Sequence, residues 1–128
     1  MIDEEVKLDG KTMIVSETDP KGNIIYANSD FCKIAGYSKE ELIGKPHNIV
    51  RHPDMPKAAF KDLWDTIDSG EIWTGIVKNK TKNGAYYWVN ATAYPSVDSN
   101  GVLRYISVRV RATDAEINEA SALYKTLD

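Results

Sequence analysis

Sulfur and imidazole are scarce in this chain: one cysteine, Cys32, and two histidines in 128 residues. A lone thiol closes no intrachain disulfide and builds no cysteine-based zinc site, and it suits a reducing cytoplasm. No apolar run approaches the ~18 residues that mark a membrane span. The acidic opening MIDEEVKLDGK has no apolar stretch of the kind a secretion signal carries. Positive charge is not in excess, with 16 Lys+Arg against 19 Asp+Glu and a formal net charge of −3. Nucleic acid is therefore not an expected partner. G-x-S-x-G, H-E-x-x-H, a P-loop and G-x-G-x-x-G are all missing, and no paired-carboxylate cleft is suggested. An enzyme is not expected.

What is present is an ordinary balance, 42% hydrophobic and 27% charged, in a length that suits one domain with a modest core. Met13–Thr18 and Ile24–Ala27 read as strands around the turn Asp19-Pro20-Lys21-Gly22-Asn23. Asn28 or Ser29 caps a short helix through Phe31, Ile34 and Ala35, closed by Gly36. Ser38-Lys39-Glu40-Glu41 is a capping box that opens another helical turn, ended by Gly44. A longer helix covers about Pro56 to Ser69, with Phe60, Leu63, Trp64 and Ile67 on one stripe. Strands follow at Trp73–Lys80, Tyr86–Ser96 and Leu103–Arg111. The turns between them both end in Asn-Gly, a strong hairpin signal. A helix from about Thr113 to Leu127, capped by Thr113 and Glu116, closes the chain. Two strands, a block of helices, three strands and a helix make an α+β arrangement: a five-stranded antiparallel sheet with the short helices on one face. Such a block leaves a cavity suited to a ligand.

The segment HNIVRHPDMPKAAF concentrates the unusual chemistry. Both histidines, His47 and His52, fall here with Arg51, Asp54 and two prolines, just before the long helix. Two histidines without a matching carboxylate pattern make a poor metal set, so no metal site is expected.

The stretches DPKGNIIYANSDFCKIAGYSKEELIGK and KNGAYYWVNATAYPSVDSNGVLRYISVRV resemble a PAS domain. GKPHNIVRHPDMPKAAFKDLW, GIVKNKTKNGAYYWV and RATDAEI…LYKTL resemble more narrowly the PAS domains of aerotaxis and energy-taxis receptors. The resemblance implies one PAS sensor domain over residues 1–128, with a core at about 11–112 and a signalling or linker helix at about 113–127. It implies non-covalently bound FAD whose redox state is relayed, in the cytoplasm, to a chemotaxis-type signalling protein or a HAMP/transducer region. A homodimer is a further expected partner, and direct membrane insertion is not expected. Photoreceptors of the light-oxygen-voltage class share the fold and carry a reactive cysteine where this chain has His47, so redox sensing is expected in place of photoadduct chemistry. Two alternatives stand beside this reading: a cofactor-free PAS dimerisation module, and a haem-binding gas sensor using His47 or His52.

With a flavin implied, strand alternation puts Trp73, Gly75, Val77 and Asn79 on one face, toward the ligand. Asn79 offers an amide to a ring edge or makes a local turn hydrogen bond. Gly75 leaves room for a ring, and Trp73 either stacks on it or fills core. Phe60 and Trp64 form the opposite wall. Asn28 is an N-cap first and a ligand contact second. Arg51, His47, His52 and Lys57 suit the pyrophosphate at the entrance of the long helix, and Asp54 either caps that helix or pairs with Arg51. Alternation also places Ile106, Val108 and Val110 inward, leaving Tyr105, Ser107, Arg109 and Arg111 on an outer face with Tyr86, Trp88 and Tyr94. The last helix, through Ile117, Ala120, Tyr124 and Leu127, folds back on the sheet or joins a partner helix.

Overall fold

The computed structural model describes residues 1–127. Strands β1 (Met13–Thr18) and β2 (Ile24–Ala27) form a hairpin. Helices α1 (Ser29–Ala35) and α2 (Lys39–Leu42), a 3₁₀ turn at His47–Val50 and helix α3 (Lys57–Asp68) follow. Strands β3 (Trp73–Lys80), β4 (Tyr86–Val97) and β5 (Leu103–Arg111) then form a meander, and α4 (Asp114–Tyr124) ends the fold. The sheet order is β2-β1-β5-β4-β3, antiparallel throughout, so the first and last strands lie side by side at its centre.

Local chemistry accounts for the element ends. Asn28 Oδ1 accepts from the Phe31 N–H, capping α1, and also from the Val15 N–H of β1. Its amide nitrogen donates to the Met13 carbonyl, so one side chain joins helix to sheet. Ser38 with Glu41, and Thr113 with Glu116, form the two expected capping boxes. Helix α3 differs: Pro56 is its N-cap, and no side chain caps it. Asp54 binds Lys78 Nζ at 2.8 Å instead of capping α3 or holding Arg51. Residues 2–6 pair with β4 through the Gly84–Tyr86 backbone.

The face assignment of β5 is the reverse of the one expected from alternation alone. Tyr105 and Arg109 are buried and Ser107 faces the helices, while Val110 is 37% exposed. Register explains this. The turn after β4 sets Val97 opposite Leu103, which carries Ala93 opposite Ser107 and Ala91 opposite Arg109. Directly opposed residues share a face, so the inward alanines of β4 bring Ser107 and Arg109 inward with them. Helix α4 folds back onto β3, the edge strand. Ala120 is buried, Tyr124 donates its hydroxyl to the Ile76 carbonyl, and Glu116 accepts from the Asn90 amide. No helix among the described residues is long and apolar enough to cross a membrane.

Candidate functional site

Between α3 and the sheet lies a cavity of about 540 Å³, within the range of about 300–1,000 Å³ typical of small-molecule sites. Phe60, Leu63, Trp64 and Ile67 of α3 form one wall. Val77, Asn79, Ala91, Ala93, Tyr105, Ser107 and Arg109 form the other. The 3₁₀ turn contributes His47 and Val50, and the following residue, Arg51, is also at the wall. Small alanines on β4 leave the sheet side open where larger residues would fill it.

Arg109 is the dominant electrostatic feature. It is 2% exposed. Among the described residues no carboxylate lies within ion-pair distance of it. Its Nη2 donates to Ser16 Oγ at 2.7 Å and its Nη1 to His47 Nε2 at 3.1 Å. Its guanidinium also lies 4.5 Å from the centroid of the Phe31 ring. Its Nε has no hydrogen-bond partner among the described residues. Burial lowers its pKa from 12.5 to about 10. His47 is correspondingly fixed. A guanidinium only donates, so Nε2 is an acceptor and the ring proton sits on Nδ1. Burial, then the Arg109 charge, lowers the His47 pKa to about 3, which keeps the ring neutral. Ser16 Oγ lies 2.9 Å from the same Nε2.

Asn79 is buried and faces the cavity from β3, opposite Tyr87 on β4. The Tyr87 hydroxyl is buried close to Asn79 and makes no hydrogen bond of good geometry among the described residues, and burial raises its pKa to about 12. At the mouth stand Lys21, Lys57, Lys61 and Arg51. Lys61 is neutralised by Asp65 at 2.6 Å, whereas Arg51 stacks over Phe60 at 4.0 Å and has no ion-pair partner among the described residues. Gly22, at φ +88°, lies against the Trp64 ring, and a Cβ there would approach within 3.2 Å of it.

Of the residues expected from sequence, the cavity gathers His47, Arg51, Phe60, Trp64, Val77 and Asn79. It does not gather Asn28, His52, Trp73 or Gly75. Asn28 is committed to its three structural hydrogen bonds. His52 Nδ1 accepts from the Asp54 N–H at 3.0 Å, and the ring packs edge-on against Tyr86, away from the cavity. Trp73 donates its indole N–H to Asp62 and lies over Gly75, where an added Cβ would collide with the indole. The ring that Gly75 admits is thus the chain's own indole, in a groove between α3 and α4. Arg109, Ser16, Tyr105, Ser107 and Lys21 were not among the expected site residues. The signal for Arg109 was available in the β4–β5 turn, because its register fixes what lies opposite Ala91.

The family described as the PAS fold matches residues 24–109. The chain is a PAS domain. Over 117 residues this PAS domain is 52% identical to the aerotaxis receptor of Escherichia coli strain K12, covering 91% of this chain and 23% of the receptor. The chain therefore spans about a quarter of that relative's length. Among solved structures it is similar to the light state of the blue-light photoreceptor Aureochrome1 LOV. There the TM-score is 0.75 at 20% identity, over 88% of this chain and 91% of that one. It is also similar to a light-oxygen-voltage domain studied with a flavin analogue, with a TM-score of 0.73 at 23% identity, over 89% and 85% of the two chains. At those identities the likeness establishes the PAS fold alone.

Proposed function

We propose that this PAS domain is a redox sensor that holds FAD in the α3–sheet cavity and relays its state to a signalling partner. The observation that carries the reading is Arg109, a buried guanidinium facing a cavity with no carboxylate among the described residues to balance it. A charge so placed is costly unless something electron-rich meets it. The donor set fits an isoalloxazine with a phosphorylated tail. Arg109 and Asn79 offer hydrogen bonds to polar ring edges, Phe60, Leu63 and Trp64 offer apolar walls, and Arg51, Lys57 and Lys21 offer cations for a pyrophosphate. When bound, the flavin supplies reversible acceptance of electrons. The protein's own part is to hold the ring, keep water out and present a fixed positive charge.

A gain of negative charge in the cavity would strengthen its pull on Arg109 and redistribute the bonds Arg109 shares with Ser16 of β1 and His47. Arg109 lies opposite Ala91, and the neighbouring Asn90 holds Glu116 of α4. This gives the site a short covalent and hydrogen-bonded route to the terminal helix, which biases a two-state output. The partner is a chemotaxis-type signalling protein or a transducer region, in the cytoplasm, and the role is sensing rather than turnover. Support for that class of partner comes from the likeness to the aerotaxis receptor. Haem is less well served: His47 Nε2 is engaged by Arg109 and Ser16, and His52 lies outside the cavity. An absorbance spectrum of the purified protein, before and after dithionite, tests the reading. A flavin band that bleaches on reduction is expected. A Soret band, or no chromophore even after FAD is added, would overturn it in favour of the haem or cofactor-free alternatives.

A further inference from the structure

Tyr105 and Asp68 form an arrangement that ligand holding leaves unexplained. Tyr105 is buried on β5 and lines the cavity. Its hydroxyl donates to Asp68 Oδ1 at 2.7 Å. Its ring meets Trp64, another wall residue, edge-on with centroids 5.6 Å apart. Asp68 ends α3 and is exposed to solvent. The chain has seven tyrosines. Among the described residues no other tyrosine hydroxyl donates to a carboxylate: Tyr124 donates to a backbone carbonyl and Tyr87 makes no hydrogen bond of good geometry.

This pairing has a chemical consequence. A phenol resists one-electron oxidation chiefly because its radical cation, a very strong acid, is high in energy until the proton is taken away. A carboxylate already hydrogen-bonded to the phenol takes that proton as the electron leaves. We propose that Tyr105 is an internal one-electron donor to an aromatic oxidant in the cavity, with Asp68 as its proton acceptor, and that blue light drives the transfer when the oxidant is a flavin. The light-driven part rests on the flavin reading above. Tyr105 loses one electron and its hydroxyl proton and becomes a neutral phenoxyl radical. The electron passes to the photoexcited ring, which gains one negative charge. The proton passes to the Asp68 carboxylate, where it can exchange with water. No further reactant is required, and return of the electron and proton in the dark restores all three groups. Position 47 carries an imidazole and no thiol that could form an adduct, and this transfer gives light a route to alter charge in the cavity that holds Arg109.

Transient absorption after a blue flash, on flavin-loaded protein under argon with no added reductant, tests the proposal. A neutral phenoxyl radical is expected, with slower formation in D₂O. It should vanish in Tyr105→Phe and form about 100-fold more slowly in Asp68→Asn, the scale for losing a positioned base. A merely structural tie between β5 and α3 would lower thermal stability in both variants without any solvent isotope effect. A second arm uses ligand-free protein oxidised with hexachloroiridate(IV) and frozen for electron paramagnetic resonance. There the tyrosyl signal should fall sharply in Tyr105→Phe and in Asp68→Asn. An unchanged signal in those variants overturns the proposal whether or not flavin binds, as does a bound flavin whose excitation leaves Tyr105 unoxidised. If no flavin binds while the iridium arm locates the radical at Tyr105, the flavin reading fails and the donor assignment stands.

Discussion

Replacing Arg109 with methionine should make the ligand-free protein more stable and its ligand binding weaker. The downward displacement of the Arg109 pKa from 12.5 to about 10 corresponds to about 3 kcal/mol of uncompensated charge burial, at about 1.4 kcal/mol per unit. Methionine keeps an unbranched stem of similar reach and removes that penalty. The losses are smaller. The stack on Phe31 is worth about 1 kcal/mol. Ser16 Oγ and His47 Nε2 already lie 2.9 Å apart and can satisfy one another. The net gain is about 1–2 kcal/mol, in line with buried charges replaced by apolar groups elsewhere. That is a rise of about 4–8 °C in Tm for a domain near this size. Affinity for FAD should fall about 10- to 100-fold, the scale of a lost hydrogen bond from a charged donor. Thermal unfolding of ligand-free wild type and Arg109→Met, with an FAD titration of each, reads both effects. A variant that melts below wild type without ligand, or that binds FAD equally well, would refute the reasoning.

Three further outcomes follow from the geometry. His47 has its pKa lowered from 6.5 to about 3, so below pH 6.5 the unfolded chain takes up a proton that the folded ring refuses. Its contribution to stability is lost as pH falls from 6.5 toward 3, at up to about 1.4 kcal/mol per pH unit. Urea unfolding across that range should show a shallower decline in His47→Asn, and equal slopes would mean the ring is not held neutral. Asn28→Ala should cost about 1–2 kcal/mol through loss of the cap and the ties to β1, with FAD affinity unchanged per folded molecule by titration. Trp73→Phe should lower stability by about 1 kcal/mol through loss of the Asp62 hydrogen bond. Flavin retention on gel filtration should be unaffected, and loss of flavin there would put the indole back in the ligand site.

The elements themselves were legible from short-range chemistry. Asn-Gly turns, capping boxes and the Phe60-Leu63-Trp64-Ile67 stripe are local signals, and they locate β3 to β5, α1, α2, α3 and α4 to within a few residues. The C-terminal helix ends at Tyr124, short of the Leu127 expected, with Lys125 as its C-cap. Half-site information was legible too: His47, Arg51, Phe60, Trp64, Val77 and Asn79 reach the cavity from a motif and two periodic patterns. Trp73 shows where periodicity stops. It shares the inward face with Asn79, yet lies several residues along the strand, where α3 and α4 cover it. Alternation names a face of a sheet and says nothing about what lies above each point of it.

The sequence by itself determined the order of strands and helices and with it the α+β class, through turn residues, caps and hydrophobic period, because those act between neighbours a few positions apart. Which side chains meet was decided only in the folded molecule. Ser16, His47 and Arg109 come from three separate segments, and their contact depends on β1 lying beside β5 and on a register that turns Arg109 inward. A shift of one residue in that pairing would send the guanidinium to solvent and replace it with valine. The charge of the cavity is therefore a property of strand register, which long-range packing sets.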